Sequence, residues 1–299
     1  MKLKHFSDKI TGYGVLIEDK KKFSKTDIFK IKKIFENSGL IIFRNCNFNP
    51  NNLIKFTDQF TFQYSNDAAR RDDKYGSKKI KSVDKGFKEI KLHSETSFST
   101  SWPEIIWFYC NKTSKENGQT TICDGMRLWE LLDYKLKNFF LKNPILYKLK
   151  IPIQGIKFSN KNKKKWFLPF VGSFDAVYNY RKSQIEFKLL RFAVTESRIP
   201  EKLCFANHLM IDLNSEPQII SRKLFNNKNI PIDILKKIKQ IAKTITIDFN
   251  WKKKDLLMID NKRFLHGRRS YSSNSKREIV NIQTKYANFG YGNFTRYRN

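Results

Sequence analysis

Residues 93–110 read HSETSFSTSWPEIIWFYC, and this stretch predicts a buried strand beside a candidate metal site. The strand is Ile105–Cys110, because an unbroken short apolar run is typical of a buried strand. Upstream of it, His93 and Glu95 are two residues apart, and residues with that spacing on an extended segment point to the same side. Both side chains can therefore reach one metal ion.

The histidine content narrows the choice of a further metal ligand. The chain has only four histidines, which are His5, His93, His208 and His266. A second histidine, distant in sequence, would complete a set of two imidazoles and one carboxylate. Such a set leaves three positions of an octahedral iron open, which is the arrangement that Fe(II) oxygenases use. A His-x-Glu pair also occurs by chance, as a surface pair or around a core histidine, so the pair alone does not establish the site.

The first part of the chain predicts a helix, a strand and a second helix. Ser24 and Asp27 form a capping box, and Gly39 supplies a stop for the helix that starts there. Residues 40–43 then form a short apolar strand. The second helix is marked by apolar residues at helical spacing: Leu53, Phe56 and Phe60.

The rest of the chain predicts two helices, three strands and two polar loops. The predicted helices span 127–141 and 234–245, the strands 120–123, 255–260 and 278–283, and the loops 66–88 and 160–165. Short strands are thus mixed with helices, without a regular alternation of strand and helix. This pattern favours a mainly β (α+β) fold, with a β-sandwich or jelly-roll core and added helices.

The charge balance is strongly basic, since 59 Lys and Arg residues against 28 Asp and Glu give a formal net charge of +31. Such a field attracts polyanions, acidic proteins and anionic small molecules. An AT-rich coding sequence would also produce this abundance of Lys, Asn, Ile and Phe, and the lysines are dispersed along the chain. We therefore expect no specific nucleic-acid binding.

Hydropathy and cysteine usage indicate the compartment. No stretch reaches the roughly 18 apolar residues that a membrane span needs, and the segment 1–5 has no apolar run behind it. Neither a membrane span nor a signal peptide is expected. The cysteines show no CxxC spacing, so reduced thiols and a cytoplasmic location are expected; they are Cys46, Cys110, Cys123 and Cys204.

Two separated segments resemble the taurine dioxygenase/clavaminate synthase-like family of 2-oxoglutarate-dependent oxygenases. In that family an H-x-(D/E) pair is followed by Trp-Pro, an aromatic strand and a Gly-Gly-x-Thr turn; here these are residues 93–95, 102–103, 105–110 and 117–120. The distal segment has Trp251, then DLLMIDN at 255–261 and LHGR at 265–268. The resemblance covers about residues 12–286. It departs at Asn117 and Lys254, where the family has glycine.

The resemblance implies a single domain, 1–299, with a double-stranded β-helix (jelly-roll) core and a helical or loop insertion at about 140–250. It implies that His93, Glu95 and His266 bind Fe(II), with 2-oxoglutarate and O₂ as cosubstrates. In the family, an arginine 11–14 residues beyond the distal histidine pairs with the far carboxylate of 2-oxoglutarate, and Arg277 follows His266 by 11 residues. Thr120, in the Gly-x-Thr turn, is expected to add a hydrogen bond to that carboxylate.

The resemblance also bears on the substrate, a small molecule. Glu rather than Asp as the metal ligand is typical of members that act on amino acids or their derivatives, free or tethered to a carrier protein. The basic surface would suit an anionic substrate or an acidic carrier. Related enzymes often have a substrate-contacting arginine upstream of the H-x-E pair, where this chain has Arg70 and Arg71. Arg268 and His208 are further candidates, although contacts that support the site are the simpler expectation for Arg268, and a structural role with satisfied hydrogen bonds is the simpler one for His208.

Glu95 also bears on the outcome of the reaction, because related halogenases lack the carboxylate. Its presence favours hydroxylation of an unactivated C–H bond with release of succinate and CO₂. Desaturation and cyclisation stay open. Two alternatives come from other classes: a catalytically inactive binding module, and a polyanion-binding protein that the net charge alone would support.

Overall fold

A computed structural model describes residues 1–65, 71–99, 102–152 and 172–289. Within these ranges the helices are α1 (Lys25–Ser38), α2 (Pro50–Thr57), α3 (Gly125–Leu131), α4 (Tyr134–Lys142) and α5 (Ile232–Ile245). The strands are β1 (Lys2–His5), β2 (Val15–Glu18), β3 (Leu40–Arg44), β4 (Thr61–Tyr64), β5 (Asp73–Lys74), β6 (Ser77–Ser82), β7 (Ile90–His93), β8 (Ile105–Lys112), β9 (Thr120–Asp124), β10 (Ile145–Pro152), β11 (Ser173–Asn179), β12 (Gln184–Arg191), β13 (Val194–Glu196), β14 (Leu203–Phe205), β15 (Ile219–Leu224), β16 (Ile247–Phe249), β17 (Leu256–Asp260), β18 (Phe264–Arg268) and β19 (Glu278–Ala287).

Two facing sheets form the core of the molecule. In the described residues the major sheet has the order β1-β2-β3-β17-β8-β19-β6-β5, and β4 also pairs with β19. The minor sheet has the order β16-β9-β18-β7, and all of its strand pairs are antiparallel. This is the jelly-roll core with added helices that the sequence predicts, so the expected mainly β fold is confirmed.

The long apolar strands are buried on both faces. In β17, Leu256 and Met258 pack with residues of α1 and α2, whereas Leu257 and Ile259 pack between the two sheets. Successive strand residues point to opposite faces, so a strand covered on both sides needs apolar residues at every position. β8 is built in the same way. The continuous apolar runs that mark these strands in the sequence therefore place them at the centre of the fold.

The opening helix follows the predicted signals. The Ser24 Oγ accepts a hydrogen bond from the Asp27 backbone N–H at 3.1 Å, and the Asp27 carboxylate accepts one from the Ser24 backbone N–H at 2.9 Å. Gly39 ends the helix with a φ of 62°, a left-handed conformation that glycine adopts without steric cost. The predicted helix at 234–245 is also confirmed, as α5.

The region 140–250 differs from the helical or loop content expected for it. Apart from α5, its described part consists mainly of strands, with β11-β12-β10-β15 as an antiparallel sheet. In β10, Ile145, Tyr147 and Leu149 are buried while the intervening residues are only half-buried. This alternation is the period of two of a half-buried strand. The lysines on the outer face do not differ from the lysines elsewhere in the chain, so the sequence did not reveal the strand. The predicted loop at 160–165 lies outside the described residues.

Two smaller differences have local causes. The single helix expected at 127–141 is two helices, because the Asp133 carboxylate accepts a hydrogen bond from the Leu136 backbone N–H at 2.8 Å and caps a new helix, α4. The polar segment 66–88 is more than a loop, since its described part contains β5 and β6. Among the described residues, none of the helices is long and apolar enough to cross a membrane.

Candidate active site

The minor sheet brings the three predicted metal ligands together. His93 ends β7, His266 is in β18, and these two residues are direct cross-strand partners. Glu95 lies in the turn that follows β7, with its Oε2 3.9 Å from His93 Nε2 and 4.0 Å from His266 Nε2. One ligand atom from each residue lies within 4.8 Å of the others, and all three residues are buried. The atoms are too far apart to hydrogen-bond with one another, and they face a common point.

The two histidines differ in their electrostatic environments. His93 Nδ1 lies 2.8 Å from the Lys91 carbonyl oxygen, so that nitrogen carries a proton and Nε2 faces the site; burial lowers the pKa of His93, but Glu95 and the Lys91 carbonyl oxygen outweigh it and raise the pKa. Burial and the neighbouring His93 lower the pKa of His266 well below its usual range, which keeps that ring neutral. Two imidazole nitrogens and a carboxylate oxygen are the donor set that a non-haem Fe(II) ion takes. The residues present therefore fit the group that the sequence resemblance implies.

Arg71 holds the carboxylate of Glu95. Its Nη2 lies 3.2 Å and 3.1 Å from the two carboxylate oxygens of Glu95, and 2.9 Å from Asp84 Oδ1. Burial would favour the neutral form of Glu95, but Arg71 and His93 outweigh it and hold the pKa of that carboxyl well below its usual range. Glu95 is therefore ionised and oriented before any metal binds.

Asn261 connects the two halves of the metal-binding motif. Its side-chain oxygen accepts a hydrogen bond from the Glu95 backbone N–H at 2.8 Å, and its Nδ2 donates to the Glu95 carbonyl oxygen at 3.0 Å. The Ser94 Oγ donates to the Asn261 carbonyl oxygen at 2.6 Å. The turn that carries Glu95 is thereby fixed to the end of β17, five residues before His266.

Gly267 lets the two histidine-bearing strands approach closely. A Cβ at this position would lie 2.4 Å from the Ile90 carbonyl oxygen and 2.7 Å from Thr121 Oγ1. Since atoms do not approach that closely, β7 or β9 would have to move away from β18. β7 carries His93, so its movement would change the distance between the histidines.

Gly267→Ala is therefore expected to lower both stability and metal affinity. Overpacking of this kind costs about 1–3 kcal/mol, and calorimetric titration with Mn(II), together with a thermal melt, would measure both effects. Gly76→Ala is the control for metal affinity, because a Cβ there meets nothing within 4 Å; the φ of Gly76 is 68°, so alanine costs some stability there while Mn(II) affinity should not change. Equal Mn(II) affinity in Gly267→Ala and the unaltered protein would contradict this account of the strand spacing.

The two residues expected to bind the cosubstrate line the same cavity as the three ligands. Arg277 precedes β19 and lines the cavity; its Nε donates to the Gly118 carbonyl oxygen at 2.9 Å, and its guanidinium lies 5.4 Å from the Tyr271 ring centroid. Burial and the neighbouring Arg268 lower the pKa of Arg277 to about 10, which leaves it charged at neutral pH. The hydroxyl of Thr120 accepts a hydrogen bond from Trp251 Nε1 at 3.0 Å, so its own proton is free for an acceptor.

The two positions where this chain lacks the expected glycine share one backbone conformation. Asn117 has a φ of 55° and Lys254 a φ of 69°, both in the left-handed region that favours glycine. Asparagine tolerates that region better than most residues. Lys254 is held there by a hydrogen bond from its N–H to the Cys110 carbonyl oxygen at 2.7 Å. Both departures thus preserve the backbone path of a glycine.

Arg268 fixes the loop at residues 84–88 over the cavity. Its two Nη atoms donate to the carbonyl oxygens of Asp84, at 2.9 Å, and Lys88, at 3.0 Å. Tyr271 adds a hydrogen bond from its hydroxyl to the Gly86 carbonyl oxygen at 3.0 Å. Arg268 therefore supports the wall of the cavity through backbone contacts, as the simpler sequence-based expectation has it.

The remaining predicted residues are placed as follows. His208 is buried behind His93, with 5.0 Å between the ring centroids. Its Nδ1 lies 3.0 Å from the Ser94 carbonyl oxygen and its Nε2 lies 3.1 Å from Glu216 Oε1, so both ring nitrogens face protein atoms. Arg71 lines the cavity, whereas Arg70 lies outside the described residues.

Sequence reasoning missed Asn281, which also lines the cavity. Asn281 is 1% exposed, and its side-chain oxygen (Oδ1) has no hydrogen-bond partner among the described residues. The signal was the period of two on β19, since Arg277, Ile279 and Asn281 fall on one face of an extended segment. All three line the cavity.

A jelly roll with two histidines and a glutamate converging in its minor sheet belongs to the class of metal-dependent oxygenases. The family model "Taurine catabolism dioxygenase TauD, TfdA family" matches residues 3–166 and 174–283. The chain therefore belongs to the TauD/TfdA family, and it is an Fe(II)- and 2-oxoglutarate-dependent dioxygenase that uses O₂.

Solved structures show the same fold. The chain is similar to AAD-2 in complex with Mn(II) and N-oxalylglycine, with 13% identity, coverage of 96% of this chain and 97% of that chain, and a TM-score of 0.60. It is also similar to a taurine dioxygenase from Burkholderia xenovorans, with 11% identity, coverage of 94% and 88%, and a TM-score of 0.64. A search of curated proteins found no match.

Proposed function

We propose that the enzyme hydroxylates an unactivated C–H bond of an amino acid or amino-acid derivative, coupled to oxidation of 2-oxoglutarate to succinate and CO₂. The observation that carries the proposal is the convergence of His93 Nε2, His266 Nε2 and a Glu95 oxygen in a cavity that Arg277 also lines. An ion site beside a buried guanidinium is suited to a dicarboxylic acid that binds the metal at one end.

In this proposal each of the five residues has one role. His93, Glu95 and His266 hold Fe(II), and the bound metal with its cosubstrate supplies the oxidising chemistry. Arg277 pairs with the far carboxylate of 2-oxoglutarate, and its planar fork suits a bidentate contact. The Thr120 hydroxyl donates a hydrogen bond to the same carboxylate. The similarity to AAD-2, whose structure holds Mn(II) and the oxoacid analogue N-oxalylglycine, supports this arrangement.

Arg71 has a positioning role in the proposal. By holding the Glu95 carboxylate in its ionised form, it keeps one oxygen directed at the two histidines. The presence of Glu95 supports hydroxylation, because a third protein ligand fills the position that a halide would need. Desaturation or cyclisation would use the same residues.

The proposal extends to domain organisation and compartment. The insertion of strands and α5 shares one apolar cluster with Cys123 of β9 and Leu265 of β18, which supports a single domain over 1–299. The four cysteines are all free and buried, which supports a reducing compartment such as the cytoplasm. The net charge of +31 supports an anionic substrate or an acidic carrier protein that presents the substrate.

Succinate release tests the proposal. The protein would be incubated with Fe(II), ascorbate, 2-oxoglutarate and pools of free L-amino acids, with succinate and product measured by mass spectrometry. One pool should stimulate succinate release, and one amino acid in it should gain the mass of one oxygen atom. Stimulated succinate with loss of two hydrogens would indicate desaturation or cyclisation instead. Absence of stimulation by any pool would contradict free amino acids as substrates.

A further inference from the structure

The turn that carries Glu95 contains a strained residue. Thr96 follows Glu95 directly and has a φ of 49°. A β-branched residue rarely adopts this left-handed conformation, because its side chain clashes with the backbone there. Such strain persists only where the surrounding contacts determine the path of the chain, and it is concentrated at functional sites. The contacts that hold this turn therefore bear on the position of Glu95.

The peptide group between Ser94 and Glu95 is held at both of its ends. Its N–H, which belongs to Glu95, donates to the side-chain oxygen of Asn261 at 2.8 Å. Its carbonyl oxygen lies 3.0 Å from His208 Nδ1 and also accepts a longer hydrogen bond, of 3.3 Å, from the Ser97 N–H. A carbonyl oxygen has no proton to offer, so Nδ1 is the donor. Because a peptide group is planar, these contacts fix the direction in which Glu95 leaves the strand.

The two anchors of this peptide group come from different parts of the fold. Asn261 directly follows β17 of the core, whereas His208 lies in the insertion, three residues after β14. The insertion makes a second contact, because the Asn207 carbonyl oxygen accepts a hydrogen bond from the Ser94 N–H at 3.0 Å. The residue between the two ligands His93 and Glu95 is thus bound to the insertion through both its N–H and its carbonyl oxygen.

The His208 ring also contacts the first ligand of the pair. Its centroid lies 5.0 Å from that of His93, and the two ring planes are inclined at 70°. Phe98 packs against the same ring, with 4.8 Å between centroids. His208 is buried, so its position is determined by this packing. One side chain of the insertion therefore contacts the ring of one ligand and the backbone that carries the other.

We propose that His208 is a positioning residue for the metal site, contributed by the insertion, and that it holds the Ser94–Glu95 peptide group and the His93 ring in the geometry that binds the ion. The inference rests on the proposed function and goes beyond it, since it makes metal affinity depend on a segment outside the two core sheets. Replacing a residue that orients a metal ligand lowers metal affinity roughly 10- to 100-fold.

Two variants of His208 separate the hydrogen bond from the ring packing. His208→Phe keeps an aromatic ring but removes the donor, and it should raise the Kd of Mn(II), measured by calorimetry, roughly 10- to 100-fold. In His208→Asn the amide nitrogen is attached to Cγ, as Nδ1 is in histidine, so its N–H can donate to the Ser94 carbonyl oxygen. This variant should therefore recover most of the affinity.

Hydrogen exchange in the metal-free protein gives a readout that does not depend on the ion. In His208→Phe the backbone amides of residues 94–99 should exchange faster, relative to those of β8, than in the unaltered protein. Leu189→Ala is the control for a general loss of stability, because Leu189 is buried in β12 and belongs to the same apolar cluster as Phe98. It should lower the melting temperature and leave Mn(II) affinity and this exchange ratio unchanged.

Three outcomes would overturn the inference. The first is equal Mn(II) affinity in His208→Phe and the unaltered protein, or no recovery in His208→Asn; the oxygenase assignment stands in both cases, because the unaltered protein binds the ion. The second is a loss of affinity in Leu189→Ala as large as that in His208→Phe, which would make the effect one of stability alone. The third is an unaltered protein that binds no Mn(II): the proposed metal site then fails, and the positioning role fails with it.

Discussion

His266→Ala is expected to leave no measurable 2-oxoglutarate turnover. In the proposed site His266 supplies one of three protein donors, so that His93 and Glu95 alone would leave the ion with two. Removal of the imidazole also leaves space beside the buried Glu95 carboxylate, and water in that space would compete with Glu95 for the metal. Turnover would be measured as succinate release, and metal retention as the iron content of the protein after anaerobic gel filtration. We expect both to fall to the background level.

His5→Ala is the matched control for this prediction. His5 is exposed and stacks on Tyr13 with 4.8 Å between ring centroids. Its replacement therefore removes an imidazole whose exposed environment differs from that of the buried site. Its turnover and iron content should equal those of the unaltered protein. Substantial turnover in His266→Ala would contradict the assignment of His266 as a ligand.

Among the cavity residues that are not proposed metal ligands, Arg277 is the one whose replacement by alanine is expected to weaken 2-oxoglutarate binding most. Truncating one partner of a buried, hydrogen-bonded charge pair costs about 2–5 kcal/mol, which is roughly a 30- to 5000-fold increase in Kd. Arg277→Lys should recover part of this loss, because a lysine supplies the charge without the planar fork. The Kd of 2-oxoglutarate would be measured by anaerobic calorimetry with Fe(II) present.

Arg269→Ala provides the control for removal of an arginine from the same segment. Arg269 is 43% exposed in its side chain and pairs with Asp248 and Glu89 at the surface. Surface ion pairs of this kind contribute little, so the Kd of 2-oxoglutarate should not change. An unchanged Kd in Arg277→Ala would remove Arg277 from the cosubstrate site.

The parts of the fold that the sequence predicted are those with a local signal. The capping box at Ser24 and the apolar runs of β8 and β17 are readable because each is determined by contacts within a few residues or by burial on both faces. β10 and β12 were missed because only one face is buried, and their outer lysines carry no pattern that distinguishes them from the rest of a lysine-rich chain. The break before α4 depended on a single cap, Asp133.

The candidate site also combines residues that could be predicted from the sequence with contacts that could not. The sequence resemblance named His93, Glu95, His266 and Arg277, and the fold brings them to one cavity. The contact between Arg71 and Glu95 could not be predicted, because it joins a polar segment without a motif to a turn 24 residues away. The role of Asn261 as a clamp on the Glu95 backbone depends on the packing of β17 against that turn, which no spacing in the sequence specifies.

The central claim is that His93, Glu95 and His266 hold Fe(II) where 2-oxoglutarate, anchored by Arg277, can bind it. Anaerobic addition of Fe(II) and then 2-oxoglutarate, followed by visible absorption spectroscopy, tests this claim most directly. The expected result is a visible metal-to-ligand absorption band that needs both additions and that requires much more 2-oxoglutarate in Arg277→Ala. Absence of the band in the unaltered protein at saturating 2-oxoglutarate, or the same half-saturating concentration in Arg277→Ala, would contradict it.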